Sequence, residues 1–231
     1  MPRDTATPEL MDDPDCDRAA LDRTYAQFAL VNRIVAGWRS TYRRWLRPLM
    51  DAGTTTTVLD LGSGGGDIAG ALVRWAASDG LAVHVTAADP DPRACAFATA
   101  RPVPAGVTHV TAGSGDLLAA GDRFDLVISN HLLHHLGPAE LTGVLDESSR
   151  LARRRVVHSD IARSRTAHEL YRVGSLPFGN RSFVRYDGLL SVRRSYTPAE
   201  VRSLVPPGWS VSTPRLFRLL VVGDGRAPGS R

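Results

Sequence analysis

The densest chemistry in the sequence is Asp60-Leu61-Gly62-Ser63-Gly64-Gly65-Gly66-Asp67, directly after Val58-Leu59. A glycine loop between a buried strand and a helix lets the backbone turn tightly and lets a ligand approach it closely. The spacing decides which ligand. A dinucleotide fingerprint needs glycine at the sixth position counted from Gly62, and that position is Asp67. An acid beside the loop is also a poor neighbour for a pyrophosphate. Asp60, at the end of the strand, suits a cationic group such as the ammonium of an amino acid. Asp89 closes the next apolar run and is placed to accept hydrogen bonds from ribose hydroxyls.

An acid for an ammonium and an acid for a ribose together describe S-adenosylmethionine (SAM) better than NAD. A second group of reactive side chains lies further on: Asn130, His131, His134, His135 and His158. Methyl transfer from a sulfonium is an in-line displacement, so the protein mainly orients the acceptor and excludes water. An oxygen or carbon acceptor often needs a proton removed, and histidine is the usual base near neutral pH. His131, first after its strand, is the leading candidate for that base, with His134 second. Packing under the sheet edge is the plain alternative for His134 and His135. His131 and His135 would share a helical face, which admits a metal. No HExxH pattern or third ligand is evident, so no metal is expected. Lysine is absent from the chain, which removes Schiff-base and P-loop lysines together.

These residues need a scaffold. Thr57–Leu61, Leu81–Ala88, Val107–Thr111, Phe124–Ser129 and Arg155–Ser159 read as strands alternating with helices, the pattern of a mostly parallel sheet covered on both faces. Asp91-Pro92 opens one of the helices. Thr197-Pro198-Ala199-Glu200 matches a capping box. Trp209–Ser212 and Leu216–Val222 read as a closing hairpin. Leu21, Tyr25, Phe28, Val31 or Asn32, Val35 and Trp38 recur at helical spacing, as do Tyr42, Trp45, Leu46 and Leu49, so two helices meeting near Gly37 form an N-terminal cap. The predicted organisation is a flexible tail at 1–17 and one domain at 18–231. That domain comprises a helical cap (18–52) and a core (53–231) with an irregular insert at about 174–195. The cap and residues 160–195 are the expected acceptor-binding parts, with Tyr25 and Asp160 as further pocket candidates.

Composition narrows the class. No run approaches the roughly 20 apolar residues of a membrane span, and Cys16 and Cys95 lack the spacing of a disulfide framework or zinc site. A cytoplasmic protein is expected, and the Ala- and Arg-rich, lysine-free chain suits a GC-rich bacterial genome. Residues 1–18 carry six acids and two arginines, net −4, whereas residues 150–231 carry sixteen arginines and five acids, net +11. Solvated arginines explain this asymmetry. So does attraction of an anionic partner: an acidic substrate, an acidic carrier protein or nucleic acid.

The segment Val58–Asp67 resembles motif I of class I SAM-dependent methyltransferases, and Asp89 resembles that family's strand-two acid. Phe124–Asn130 followed by Leu133-His134-His135-Leu136 looks like the fourth-strand segment of small-molecule members, including the ubiquinone and menaquinone biosynthesis methyltransferases. The ending from Tyr196 is also similar. The resemblance covers 55–160 well and 195–222 loosely. It implies an α/β, Rossmann-like fold with a seven-stranded, mostly parallel sheet, strand seven running antiparallel between strands five and six. It implies that Gly62, Ser63, Gly64 and Gly66 lie under the methionine part of SAM and that Asp60 lies near its amino group. Asp89 would hold the ribose, Pro90 would flank the adenine, and Asn130 would lie near the transferable methyl. Asp116 and Leu117 lie where the family places its adenine contact, although relatives carry the aspartate four residues before the leucine, here Gly113. The implied activity is methylation of a small-molecule acceptor, an O- or C-methylation of an aromatic, polyketide-like or quinol metabolite. A nucleic-acid (RNA) methyltransferase is the alternative suggested by the basic C-terminal third, but Asn130 is not followed by Pro-Pro-aromatic and no RNA-binding module is attached. A SAM-binding protein with a non-methylating role is the third reading.

Overall fold

A computed structural model describes residues 1–179, 181–214 and 216–226, with the side chains of Ile34 and Val35 excepted. Parts of the predicted 18–231 domain, its insert and its apolar stripe therefore lie outside the described residues. The strands are β1 (Thr56–Leu61), β2 (Val83–Asp89), β3 (Val107–Thr111), β4 (Phe124–Asn130), β5 (Ala152–Ile161), β6 (Ser210–Ser212) and β7 (Arg218–Asp224). They form one sheet in the order β3-β2-β1-β4-β5-β7-β6. β1 to β5 are parallel, and β7 runs antiparallel to both β5 and β6. This is the sheet that the resemblance implies.

Each element has a local cause. Central β1 is buried at Thr56 and from Val58 to Leu61, as a parallel strand covered on both faces must be. The helices are α1 (Arg18–Val35), α2 (Trp38–Thr41), α3 (Asp67–Ser78), α4 (Pro92–Thr99), α5 (Ser114–Ala119), α6 (Pro138–Leu151), α7 (Arg165–Gly174), α8 (Val184–Arg194) and α9 (Pro198–Leu204). Gly37, at φ 69°, separates α1 from α2. Thr197 and Glu200 exchange hydrogen bonds around the start of α9 as a capping box does. Trp38, Tyr42 and Leu46 bury themselves beside Leu72 of α3 and Val85 of β2. At roughly 1.5–3 kcal/mol for each such side chain, the second half of the cap is part of the core.

Two expectations are corrected. The insert at 174–195 is largely helical, because α8 occupies Val184–Arg194. Residues 1–17, expected as a flexible tail, instead form a strap across α8 and the segment after β4. The Arg3 guanidinium stacks 3.7 Å from the Tyr196 ring and donates to the Leu136 carbonyl. Asp4 pairs with Arg193 at 2.7 Å. The Leu10 and Met11 amides donate to the buried Asp187 carboxylate at 2.8 and 3.1 Å. The acidic start and the basic end of the chain thus neutralise each other in part, a contact invisible to a local reading of composition.

Candidate functional site

The C-terminal ends of the parallel strands open into a cavity of about 430 Å³. The glycine loop floors one end of it. Gly62, Gly64 and Gly66 all have positive φ (64°, 51° and 73°), and a β-carbon on Gly66 would collide with His109. Any other residue there would be strained, so the glycines set the curvature of the loop. The Gly64 amide donates to Asp89 Oδ2 at 2.8 Å, and the Asp91 amide donates to Oδ1 at 2.9 Å. Asp89 is therefore fixed facing the loop, with lone pairs left for a ligand.

Three carboxylates, Asp60, Asp67 and Asp89, crowd this end. Asp60 is 1% exposed, and its Oδ2 has no hydrogen-bond partner. Asp67 accepts from Asn32 Nδ2 at 3.1 Å. Among the described residues none of the three forms an ion pair with an arginine or histidine. Burial raises all three above the usual carboxylate range, Asp60 furthest, helped by the charges of Asp67 and Asp89. An unpartnered buried carboxyl oxygen among like charges is costly. A cationic ligand would relieve it, so the residues present fit the ammonium group of SAM.

The other end is built differently. Met11, Phe28, Val31, Leu136, Ile161 and Tyr171 add apolar lining to the cavity, while Tyr25 packs against Gly64 and Gly65 of the loop. The polar side of this end is a chain of paired groups. His134 is 2% exposed; its Nδ1 lies 2.8 Å from Asp160 Oδ1 and its Nε2 lies 3.6 Å from Glu9 Oε1. Although burial alone would lower it, the two carboxylates raise His134 to about 10. Asp160 is held far below its usual range by the same pair. His131 has φ 60°, an uncommon conformation for a non-glycine residue. Its Nε2 lies 3.1 Å from the Arg218 guanidinium, which also donates to Asn130 Oδ1 at 2.9 Å and Ser159 Oγ at 2.6 Å. Burial first, and Arg218 second, push His131 well below the usual histidine value.

The expected site residues therefore divide. Asp60, Gly62, Ser63, Gly64, Asp89, Pro90, Asn130, His131 and His134 all line the cavity. Gly66 shapes the loop behind it. Asp116 and Leu117 are not brought there. Asp116 spends its carboxylate on the Gly113 amide at 2.9 Å, capping α5, and Leu117 is buried against the sheet in the cluster of Leu59 and Val127. The two candidate bases are both engaged by neighbours. Arg218 donates to His131 Nε2, and His134 lies between the Asp160 and Glu9 carboxylates. His158 bonds to Ser129 Oγ at 2.7 Å and stacks on Trp209, under the sheet. Arg218, Glu9, Asp12 and Asn32 are additions. Arg218 is the first residue of an antiparallel strand, which brings it to the edge where the parallel strands end. Its charge inside the apolar run that follows was the available signal.

Comparison with known proteins agrees with the fold. Residues 58–155 match the family described as "Methyltransferase domain". No curated protein matches in sequence. Solved structures are similar in fold. One is magnesium protoporphyrin IX methyltransferase (ChlM) from Synechocystis with bound SAH: TM-score 0.54, 17% identity, 87% of this chain and 84% of that one. Human N-acetylserotonin methyltransferase in complex with SAM gives a TM-score of 0.65 at 13% identity, over 91% of this chain and 57% of that one. The plantazolicin methyltransferase BpumL, with SAH and a triazolic desmethylPZN analog, gives 0.59 at 12% identity, over 94% and 93%.

Proposed function

We propose that this chain, a SAM-dependent methyltransferase by its matched domain and its fold, methylates a small aromatic acceptor at oxygen or carbon, of the phenol, quinol or polyketide-like class. The observation that carries the reading is the lining of one cavity: three acids without a cationic partner at the glycine loop, and apolar and aromatic side chains over much of the rest. When bound, SAM supplies a methyl group on a sulfonium. Asp60 takes its ammonium, Asp89 its ribose hydroxyls, and Pro90 borders the adenine. The backbone of Gly62 to Gly64 lies against the methionine part.

The chain's own contribution to transfer is placement and exclusion of water. Phe28, Val31 and Ile161 contribute apolar lining, and the buried Glu9–His134–Asp160 chain offers polar contacts to an acceptor hydroxyl. Asn130 and His131, tied down by Arg218, border the passage between the two ends. Several arginines of the basic third serve the fold rather than a substrate. Arg163 pairs with Glu200, Arg193 with Asp4, and Arg226 with Asp146, and Arg218 is buried. Part of the basic third is thus engaged within the molecule, while Arg153, Arg165, Arg181 and Arg202 are exposed.

The test is transfer of labelled methyl from SAM to a panel of phenols, quinols and polyketide-type aromatics, beside calorimetry with SAH. Label on at least one aromatic acceptor is expected. SAH binding without transfer to any of them would favour a non-methylating role, and transfer to RNA alone would overturn the acceptor class.

A further inference from the structure

We infer that Glu9, His134 and His135, with Asp12 at the rim, form a binding site for a divalent first-row transition-metal ion on the acceptor side of the cavity. One ring nitrogen of each histidine and a Glu9 carboxylate oxygen lie within 4.8 Å of one another. Glu9 Oε1 is 3.6 Å from His134 Nε2, and Asp12 Oδ2 is 3.6 Å from His135 Nδ1. Both separations exceed hydrogen-bond length. Both approach the edge of a tetrahedron, about 3.3–3.5 Å, set by metal–ligand bonds of about 2.0–2.1 Å.

The second observation is the support around these ligands. His134 Nδ1 meets Asp160 at 2.8 Å, which directs Nε2 toward Glu9. A carboxylate that fixes the far nitrogen of a ligating imidazole is the usual outer layer of such sites. Glu9 is itself held: Ser191 Oγ donates to its Oε1 at 2.8 Å, and Asp187 anchors the next two amides of the strap. Arg194 and Arg3 donate to the His135 and His134 carbonyls, fixing the opposite side. Two imidazoles and one or two carboxylates suit zinc, iron, cobalt, nickel or manganese better than calcium. Glu9, Asp12, His134 and His135 all line the cavity, so an ion held by them would face the acceptor. It would pin the strap to the segment after β4 and lower the pKa of a coordinated acceptor hydroxyl. The inference goes beyond the methyl-transfer reading and does not depend on it.

A proton on His134 would bridge Asp160 and Glu9 without any metal, and titration decides between the two. The full chain, stripped with EDTA, is titrated with Co²⁺ and followed by visible absorption, then with Zn²⁺ by calorimetry. One Co²⁺ per chain is expected, with the intense d–d bands of a four- or five-coordinate ion, displaced by Zn²⁺. Glu9→Gln and His135→Ala should each weaken binding at least about tenfold, and Asp12→Asn less. Cooperative thermal melts certify that the variants fold. No stoichiometric site in the wild type, or unchanged affinity in folded Glu9→Gln and His135→Ala, overturns the inference, whereas SAH calorimetry on the same samples reports separately on the donor site.

Discussion

The two ends of the cavity satisfy their charges in opposite ways. At the glycine loop Asp60, Asp67 and Asp89 have no cationic partner among the described residues, and Asp60 Oδ2 has no partner of any kind. At the acceptor end every ionisable group leans on another: Glu9 on His134, His134 on Asp160, Asp12 on His135, Arg218 on His131. The first arrangement stores an electrostatic deficit that a ligand must fill, and the second is complete enough to hold shape without one.

The largest effect that tests it is on stability, at the acceptor end. Asp160→Asn leaves a buried His134 facing an amide, and breaking a buried pair by removing one partner costs on the order of 3–5 kcal/mol. Urea denaturation of EDTA-treated protein should show that loss. A change below about 1 kcal/mol would mean that the chain of paired groups does not organise this end. Next comes Asp89→Ala. It removes the acceptor for ribose hydroxyls and frees the Gly64 amide, so SAH affinity should fall on the order of 100-fold by calorimetry, two charge-assisted bonds being lost. Unchanged affinity would contradict the ribose assignment.

Asp60→Asn separates the two ends most sharply, because it should help the empty protein and harm the complex. Removing the charge should weaken SAH binding about tenfold through loss of the ammonium partner. Without ligand the variant should melt higher than wild type. The sign follows from the raised carboxyl. Below about pH 3.8 both states of wild type hold the proton, and the two proteins differ least. Above it the unfolded chain releases a proton that the fold retains, so wild type loses ground to Asn as pH rises. A melting gap that narrows from pH 4 to pH 7 would show that Asp60 is not the strained group.

The same division governs how much the sequence reveals. The donor end is nearly all contiguous: Asp60 to Asp67 is one turn between a strand and a helix, and Asp89 ends the adjacent strand in register with Thr111. Local spacing carries that information, strand–helix alternation gives the parallel sheet, and the resemblance supplies the place of β7 in its order. Asp116 misleads because a side chain at the third position of a short helix finds the backbone amide before it finds a ligand. The acceptor end joins Glu9 to His134 and Ser191, and Arg218 to His131, across most of the chain. Pro and Asp in residues 1–17 read as solvated, yet helix α8 offers Asp187 and Arg193 to receive them, and α8 itself was read as irregular. Pairing at such range leaves no period in the sequence.

The smallest expected effect falls on the residue that sequence alone ranks first. His131 sits at φ 60°, which asparagine tolerates and alanine does not, and an asparagine oxygen can still accept from Arg218. His131→Asn therefore removes the ring while preserving the backbone and the clamp. A general base would contribute about 10²- to 10⁴-fold. A ring whose Nε2 is already engaged by Arg218 serves as a spacer between Asn130 and the acceptor chamber, and kcat should fall less than about tenfold with KM for SAM unchanged. A hundredfold drop in kcat, together with loss of the acidic limb of the pH–rate profile, would return the base to His131 and require Arg218 to let go of it during turnover.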